Sequence, residues 1–214
     1  MEQKDKKNLK NKIIKYICDA ILNNEYVQND QIKEVHLSKK LNISRIPVRE
    51  ALLELVSLGI LEHIEKRGVF VKKVTGTEVL NTYQAQGLIE GFLATSFAIF
   101  ANDEDMRMLD KLLIKMCDRS NDAKSIAIIG KQFHKYTLKY AKNTILLDEL
   151  EKLNKKSLLL FKKNVLHMYN NIDEIKKEHK KIVDALKSRD KKKIEEIIKN
   201  HYFKAGAKIA LFNN

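Results

Sequence analysis

The scarcity of proline and glycine is the feature that most limits what this chain can fold into. Pro47 is the one proline among 214 residues, and glycine occurs seven times. β-Sandwiches and barrels need many tight turns, which these two residue types usually supply. Long runs of Leu, Ile, Lys and Glu favour helices instead. The composition therefore predicts a mainly α protein.

The charge of the chain indicates a class of partner without locating it. The formal net charge is +13 and the isoelectric point is about 9.5, which fits a nucleic-acid partner. It fits a solvated lysine-rich surface as well. Only six of the 41 basic residues are arginine, and Arg45, Arg49 and Arg67 lie close together in the sequence. This clustering calls for a specific explanation.

Cysteine usage and hydropathy predict the compartment. Cys18 and Cys117 lie far apart and form no metal-binding or redox pair, as is usual in a reducing environment. The first ten residues lack the apolar core of a signal peptide, and no apolar run approaches the length of a membrane span. We expect a cytoplasmic protein without a membrane partner.

The first 75 residues show a recognisable order of elements. Apolar residues recur at helical spacing, then alternate with polar residues on both sides of the turn Lys66-Arg67-Gly68. The predicted order is three helices and two strands, at about 8–23, 34–41, 45–57, 60–65 and 69–74. This is the order of a winged helix-turn-helix domain, which we assign to residues 1–75.

The third predicted helix contains the clustered arginines. Ser44 is a natural N-cap, and Pro47 falls in the first turn, where a missing N–H costs little. Arg45 and Arg49 are four residues apart and share a face, while Val48 and its helical neighbours form an apolar face. Gly59 is expected to end this helix.

Residues 76–214 show helical patterns only. The predicted helices lie at about 77–100, 103–117, 123–141, 144–167, 171–188 and 190–211, and Thr77 is the expected cap of the first. We predict an antiparallel helical bundle.

The stretch LSKKLNISRIPVREALLELVSLGILEHIEKRGVFV, residues 37–71, resembles the GntR family of bacterial transcription regulators. The second half resembles the FCD domain of the FadR-type subfamily through LIEG (88–91), FH (133–134), EHKKIVDALKSRD (178–190) and NH (200–201). The resemblance implies a homodimer that binds a double-stranded DNA operator. It also implies a small carboxylate effector in the helical domain.

The recognition helix of such a domain enters the major groove, where arginine binds guanine with two parallel hydrogen bonds that lysine cannot reproduce. The predicted DNA-binding residues are Ser44, Arg45, Pro47, Arg49, Arg67 and Gly68. The alternative is that Arg45 and Arg49 form surface ion pairs with Glu50 or Glu54.

Three histidines are candidate metal ligands. His134, His179 and His201 each lie on the apolar face of a different predicted helix. One such histidine is usually a core residue, but three on separate helices could converge, and imidazole is the commonest ligand of zinc and nickel. Spacing alone does not show convergence.

The resemblance adds a ligand set with one departure. In many FCD domains an aspartate four residues before the first histidine completes a metal site with three histidines, but Gly130 stands there in this chain. Gln86 stands where an arginine is common, and Glu90 follows it; with Gly130 these residues are the predicted effector pocket. Either a three-histidine site persists and favours an anionic effector, or metal binding is lost and the histidines bind ligand directly or simply pack.

These features predict a DNA-binding regulator, a repressor that responds to a small organic acid. An alternative is a DNA-binding regulator or architectural protein whose effector pocket has decayed. A metallo-hydrolase is a third hypothesis, because three histidines also resemble a catalytic metal set. The sequence lacks GxSxG, HExxH and P-loop motifs, which favours a protein that is not an enzyme.

Overall fold

The computed structural model describes residues 2–160 and 172–211. Two compact units are present, one containing Met1–Val74 and the other containing Thr75–Asn154, to which the helices after residue 171 also belong. The protein is mainly helical, as predicted, and its sheet has two strands.

The first unit has the predicted order of elements. Its segment Met1–Val74 contains α1 (Glu2–Leu22), α2 (Glu34–Leu41), α3 (Arg45–Ser57), β1 (Leu61–Ile64) and β2 (Gly68–Val71). α1 begins six residues before the predicted start at residue 8. The added segment EQKDKK has no apolar periodicity, but Glu, Gln and Lys are good helix formers, so the helix extends into it.

The ends of α3 follow from local chemistry. Ser44 occupies the N-cap position with extended backbone, and Pro47 is the third residue of the helix. Among the described residues, the Ser44 hydroxyl accepts no capping hydrogen bond, which corrects that part of the prediction. Gly59 follows the helix with a φ of 65°, the left-handed conformation that glycine adopts without strain.

One face of α3 attaches this helix to its own unit. Val48, Ala51, Leu52 and Leu55 are buried at helical spacing. The core that they join includes Ile13, Ile17, Leu37, Ile60, Leu61 and Val71. The opposite face of the helix is therefore left in solvent.

The two strands form an antiparallel hairpin. Leu61 pairs with Val71 and Ile64 pairs with Gly68, so the turn between the strands is residues 65–67. Gln31 adds an isolated bridge to Phe70, and its side-chain amide donates to the Arg67 carbonyl over 2.5 Å. Gln31 lies between the helices predicted at 8–23 and 34–41, where no strand was predicted, because a single bridging residue leaves no alternation to detect.

The second half of the chain consists of helices throughout the described residues. They are α4 (Gly76–Phe100), α5 (Asp103–Met116), α6 (Ala123–Thr137), α7 (Thr144–Leu160), α8 (Ile172–Ser188) and α9 (Lys191–Ala210). α6 ends four residues before the predicted residue 141. The predicted end of α7 at residue 167 lies outside the described residues.

The cap of α4 differs from the prediction. Thr75, and not Thr77, is the N-cap residue, and its hydroxyl oxygen accepts from the Glu78 backbone N–H over 3.2 Å. Both threonines precede the same apolar pattern. Thr75 is the cap because its backbone is extended and lies outside the helix, and only a residue in that position can accept a hydrogen bond from the first turn.

α4 and α9 approach each other closely because glycines line their contact. A Cβ added to Gly87 would lie 2.8 Å from Cβ of Tyr202, and one added to Gly206 would lie 2.6 Å from Cβ of Tyr83. Carbon atoms do not come this close, so only glycine allows the helices to meet here. The approach holds Glu90 on α4 beside Tyr202 on α9.

Arg189 has a structural role. It lies between α8 and α9 with a φ of 57°. Its guanidinium donates to the Ala98 and Ala101 carbonyls, each over 2.9 Å, at the end of α4. Carbonyls at a helix C-terminus lack partners within the helix, and a cation there also suits the helix dipole.

Asp105 joins α5 to α6 and the turn after it. Its buried carboxylate accepts from the hydroxyls of Tyr136 and Tyr140 and from Nζ of Lys139, over 2.6–2.7 Å. It also completes a capping box with Asn102. Burial by itself raises the pKa of this carboxyl, but hydrogen bonds led by that from Lys139 outweigh burial and hold the pKa well below its usual range.

We expect Asp105→Asn to lower the free energy of unfolding by about 3 kcal/mol at pH 7, because it leaves a buried network without its charge. A depressed pKa gives stability that is present above the unfolded-state value and is lost as pH falls below about 4. The variant should therefore lose less stability than the wild type over that interval. Denaturant titrations at pH 7 and pH 3 measure both effects, and equal losses on acidification would contradict this role for Asp105.

Candidate functional site

The solvent face of α3 presents two arginines in its first two turns. Arg45 and Arg49 are both exposed, and Ile46 between them is 71% exposed. Arginine can bind guanine through two hydrogen bonds, and an apolar side chain can contact the methyl group of thymine. This end of the helix has the chemistry needed to recognise base edges in a major groove.

Arg49 already has a carboxylate partner. Its Nε donates to Glu34 Oε2 over 2.9 Å and its Nη2 donates to Glu34 Oε1 over 3.1 Å. This corrects the alternative that named Glu50 or Glu54 as the partner. Glu54 instead pairs with Lys10 of α1 over 2.7 Å.

The remaining predicted DNA-binding residues lie at the start of α3 and at the hairpin turn. Ser44 and Pro47 occupy the N-cap and first turn of α3. Arg67 is exposed in the turn, 5.3 Å from the centre of the Phe70 ring, and Gly68 follows with a φ of 103°. The two groups of residues belong to the same compact unit.

The three histidines converge. One ligand atom of each of His134, His179 and His201 lies within 4.8 Å of the others, so this group could hold a metal ion. The residues come from α6, α8 and α9 respectively. Their ring centres are 4.8–5.4 Å apart. Residues distant in the sequence thus form one cluster.

Two of the rings are oriented by partners at one nitrogen. Nδ1 of His179 lies 2.9 Å from the Ile175 carbonyl, to which it donates. Nδ1 of His134 lies 2.6 Å from Glu90 Oε1, and a carboxylate can only accept, so this nitrogen carries the proton. In both rings Nε2 is then the nitrogen with a free lone pair, as a metal ligand requires.

Glu90 is itself held on its other side. The Tyr202 hydroxyl donates to Glu90 Oε2 over 2.6 Å, and the glutamate side chain is buried. Glu90 therefore lies behind His134, in contact with the nitrogen that is not available as a ligand. Carboxylates in this position orient histidine ligands and increase their basicity.

The environment keeps the imidazoles of His179 and His201 neutral. Burial, followed by the nearby His134, lowers the pKa of His179 to about 3. Burial also lowers the pKa of His201 well below its usual value, with further contributions from His179 and His134. Neutral imidazoles repel one another less and keep the lone pairs that bind metal.

The other residues of the predicted effector pocket are also buried. Gln86 donates from its amide to Asn154 Oδ1 over 2.7 Å, and Gly130 lies on α6 four residues before His134. Residues four apart on a helix share a face. Gly130 therefore lies on the His134 face of α6 but supplies no side-chain ligand.

The donor set fits a divalent transition metal. Two nitrogens bound to one tetrahedral zinc ion lie about 3.4 Å apart, so the three imidazoles, whose ligand atoms lie within 4.8 Å of one another, would draw together to hold an ion. Three neutral nitrogen donors suit zinc or nickel, and three protein ligands leave at least one coordination position for another molecule.

Sequence reasoning missed two residues of these sites. Glu34 is an acidic residue in the first turn of α2, a common and uninformative position, and only the packing of α2 on α3 brings it to Arg49. Tyr202 follows His201 directly, but neighbours on a helix point in different directions. The glycines of the GLIEG segment of α4, residues 87–91, are the signal that could have indicated a close helix contact here.

A three-helix unit with a two-stranded wing, followed by a helical unit with a three-histidine cluster, defines a winged helix-turn-helix regulator with a ligand-binding domain. Family comparison agrees with this class. Residues 9–71 match the gntR family of bacterial regulatory proteins, and residues 81–203 match the FCD domain. The chain belongs to the GntR family, with a C-terminal FCD domain, and is a DNA-binding transcription regulator and not an enzyme.

Known relatives are similar over most of their length. The HTH-type transcriptional regulator YdhC of Bacillus subtilis (strain 168) is 24% identical over 85% of this chain and 82% of that protein. The gluconate operon transcriptional repressor of Bacillus licheniformis is 24% identical over 75% of this chain and 68% of that protein. The solved structure of E. coli McbR/YncC covers 96% of this chain and 99% of its own, with 19% identity and a TM-score of 0.72, and so shares the fold.

None of the helices in the described ranges combines the length and apolar character needed to cross a membrane.

Proposed function

We propose that this protein is a repressor that binds a pseudo-palindromic operator as a homodimer and releases it when a small carboxylate binds the FCD domain. The convergence of His134, His179 and His201 is the observation that carries the effector half of this proposal. For the effector to act, it must bind one arrangement of the dimer better than the other. The gluconate operon repressor is a relative with a comparable role by name.

The DNA-binding half rests on the exposed end of α3. Arg45 and Arg49 contact guanines in the major groove, Ser44 and Pro47 bring the start of the helix to the phosphates, and Arg67 with Gly68 approaches the adjacent backbone. We assign residues 1–75 to this domain and 76–214 to effector binding and dimerisation.

An exposed apolar stripe on α4 supports a dimer. Leu88, Phe92 and Ile99 share one face of the helix and are 57%, 53% and 52% exposed. Three large apolar side chains in a row on one helix are unusual on the surface of a monomer, and a second copy of the chain would cover them. A dimer also places two recognition helices on the two halves of a palindrome.

In the effector half, His134, His179 and His201 hold a divalent metal through neutral nitrogens, and Glu90 orients His134. Such a metal, when bound, supplies positive charge that attracts a carboxylate. Because Gly130 contributes no negative charge, three imidazoles leave the charge of the ion unreduced by its ligands. The site should therefore favour anionic effectors more strongly than one that contains aspartate.

A decayed pocket is the second candidate. Gln86 bonds to Asn154, and Gly130 has no ligand atom, so two of the predicted pocket positions lack charged groups that could bind an effector directly. On this reading the histidines are packed core residues, and the protein binds DNA without sensing a small molecule.

Two experiments test the proposal. Selection of operator sequences from a random duplex library at fixed salt should recover a palindrome rich in guanine contacts. Thermal unfolding of zinc-loaded and nickel-loaded protein with a panel of small carboxylates should reveal an effector, since a ligand at 100 times its Kd raises the melting temperature by about 5–10 °C. A decayed pocket predicts that no carboxylate produces a shift, with or without metal.

Gly130→Asp tests the charge argument. A carboxylate added four residues before His134 should raise zinc affinity by about tenfold or more, because it supplies a fourth ligand and negative charge. The same change should weaken carboxylate effectors. Chelator competition measures the first effect and the thermal-shift assay the second. Gly130→Asn is the matched uncharged control, and equal effects of both variants would refute the charge explanation.

A further inference from the structure

Arg49 is the side chain proposed to recognise guanine, yet part of its guanidinium is already occupied. The bonds to Glu34 use Nε and Nη2, which is the side edge of the guanidinium. Arg49 is 65% exposed and Glu34 is 22% exposed. A simple view is that the glutamate competes with DNA for the arginine and must be displaced.

The geometry of the guanidinium allows a different relation. The group carries five N–H bonds in one plane. A side-on pair with Glu34 takes the Nε hydrogen and one Nη2 hydrogen, and leaves both Nη1 hydrogens and the second Nη2 hydrogen. One hydrogen from each terminal nitrogen projects from the far edge of the plane. These two parallel donors match the O6 and N7 acceptors of guanine.

Fixing the plane has a consequence for binding. A free arginine side chain has several rotatable bonds and loses much rotamer freedom when it binds a base. Glu34 is anchored in the first turn of α2, and its bidentate pair defines where the end of Arg49 lies before DNA arrives. The Arg49 side chain then loses its rotamer freedom when the protein folds, and this entropy cost no longer opposes DNA binding.

We propose that Glu34 is a positioning residue for base recognition: it holds Arg49 from the side so that the terminal edge of the guanidinium faces a guanine. This inference rests on the proposed role of α3 as the recognition helix. It predicts an effect opposite to that of simple electrostatics. Removing an acidic group near DNA should strengthen binding to every duplex, whereas removing a positioning group should weaken binding to the operator alone.

The test uses full-length Glu34→Gln with the selected operator and a scrambled duplex of equal length, at several salt concentrations. We expect the ratio of operator to scrambled affinity to fall about tenfold or more, with affinity for scrambled DNA equal or higher. Discrimination against substitution of the contacted guanine should also fall. Glu50→Gln, which removes the same charge from α3 itself, is the matched control and should keep the ratio.

Equal or tighter operator binding by Glu34→Gln would overturn the inference, as would equal weakening on both duplexes. Arg49→Lys supplies a second test that does not depend on the stability of one variant. Lysine has no planar guanidinium that Glu34 could hold from the side. Glu34→Gln made in the Arg49→Lys background should therefore leave the ratio of operator to scrambled affinity unchanged. A further loss there would contradict the positioning role. If wild-type protein selects no operator, the DNA-binding assignment itself fails.

Discussion

Arg49→Ala should abolish sequence-specific DNA binding. Each bidentate contact between arginine and guanine contributes about 1–3 kcal/mol of discrimination, and the proposed dimer would make the contact twice. Operator affinity should therefore fall roughly 30-fold to more than 10,000-fold. Electrophoretic shift at one fixed salt concentration, with the selected operator and a scrambled duplex, measures the loss. Binding to scrambled DNA should weaken much less, because that binding depends on total charge.

The same substitution should leave the fold intact. The Arg49 side chain is largely exposed and its pair with Glu34 lies at the surface, where such pairs contribute little to stability. Arg107→Ala removes an equal charge from an exposed position on α5 and is the matched control. Unchanged operator selectivity in Arg49→Ala would remove the basis for assigning α3 as the reading helix.

His179→Ala should have the largest effect on metal binding. Its ring is 4% exposed, and the bond from its Nδ1 to the Ile175 carbonyl directs Nε2 toward the other two histidines. Changes to groups that merely orient a ligand reduce metal affinity 10–100-fold, so loss of the ligand should cost at least about a hundredfold. Chelator competition with zinc measures the affinity directly.

Thermal unfolding separates this effect from damage to the core. Zinc should raise the melting temperature of the wild type, because it binds the folded state, and should not raise that of His179→Ala. His63→Ala, an exposed histidine in the other unit, is the control for nonspecific zinc binding. If His179→Ala keeps wild-type zinc affinity, the cluster is a packed core and the decayed-pocket reading is favoured.

Local patterns predicted the elements well where the controlling interactions are local. The bounds of α2 and α3 match the prediction, and Gly59 ends α3 in the left-handed conformation expected. The start of α1 and the end of α6 were misplaced because neither is marked by a change in apolar spacing. Thr75 was missed as a cap because two threonines precede α4 and backbone conformation selects one.

The candidate sites were predicted unevenly for the same reason. Arg45 and Arg49 could be placed on one face because four residues separate them on one helix. The partner of Arg49 could not be predicted, because Glu34 contacts Arg49 only through the packing of α2 on α3. The position of Glu90 behind His134 could not be predicted from the sequence either. It depends on α4 packing close enough to α6 and α9 for Glu90 to hydrogen-bond with residues of both helices.

The sequence by itself determined a mainly helical chain with the element order of a winged helix-turn-helix domain, because capping residues, helical periodicity and a turn act over a few neighbouring positions. Its resemblance to the GntR family over residues 37–71 indicated the DNA-binding function. Only the tertiary structure decided that His134, His179 and His201 meet. The glycine-lined approach of α4 to α9 brings Tyr202 to Glu90, and the packing of three separate helices sets the distances between the imidazoles. Those distances depend on contacts between residues far apart in the chain, which spacing along the sequence does not encode.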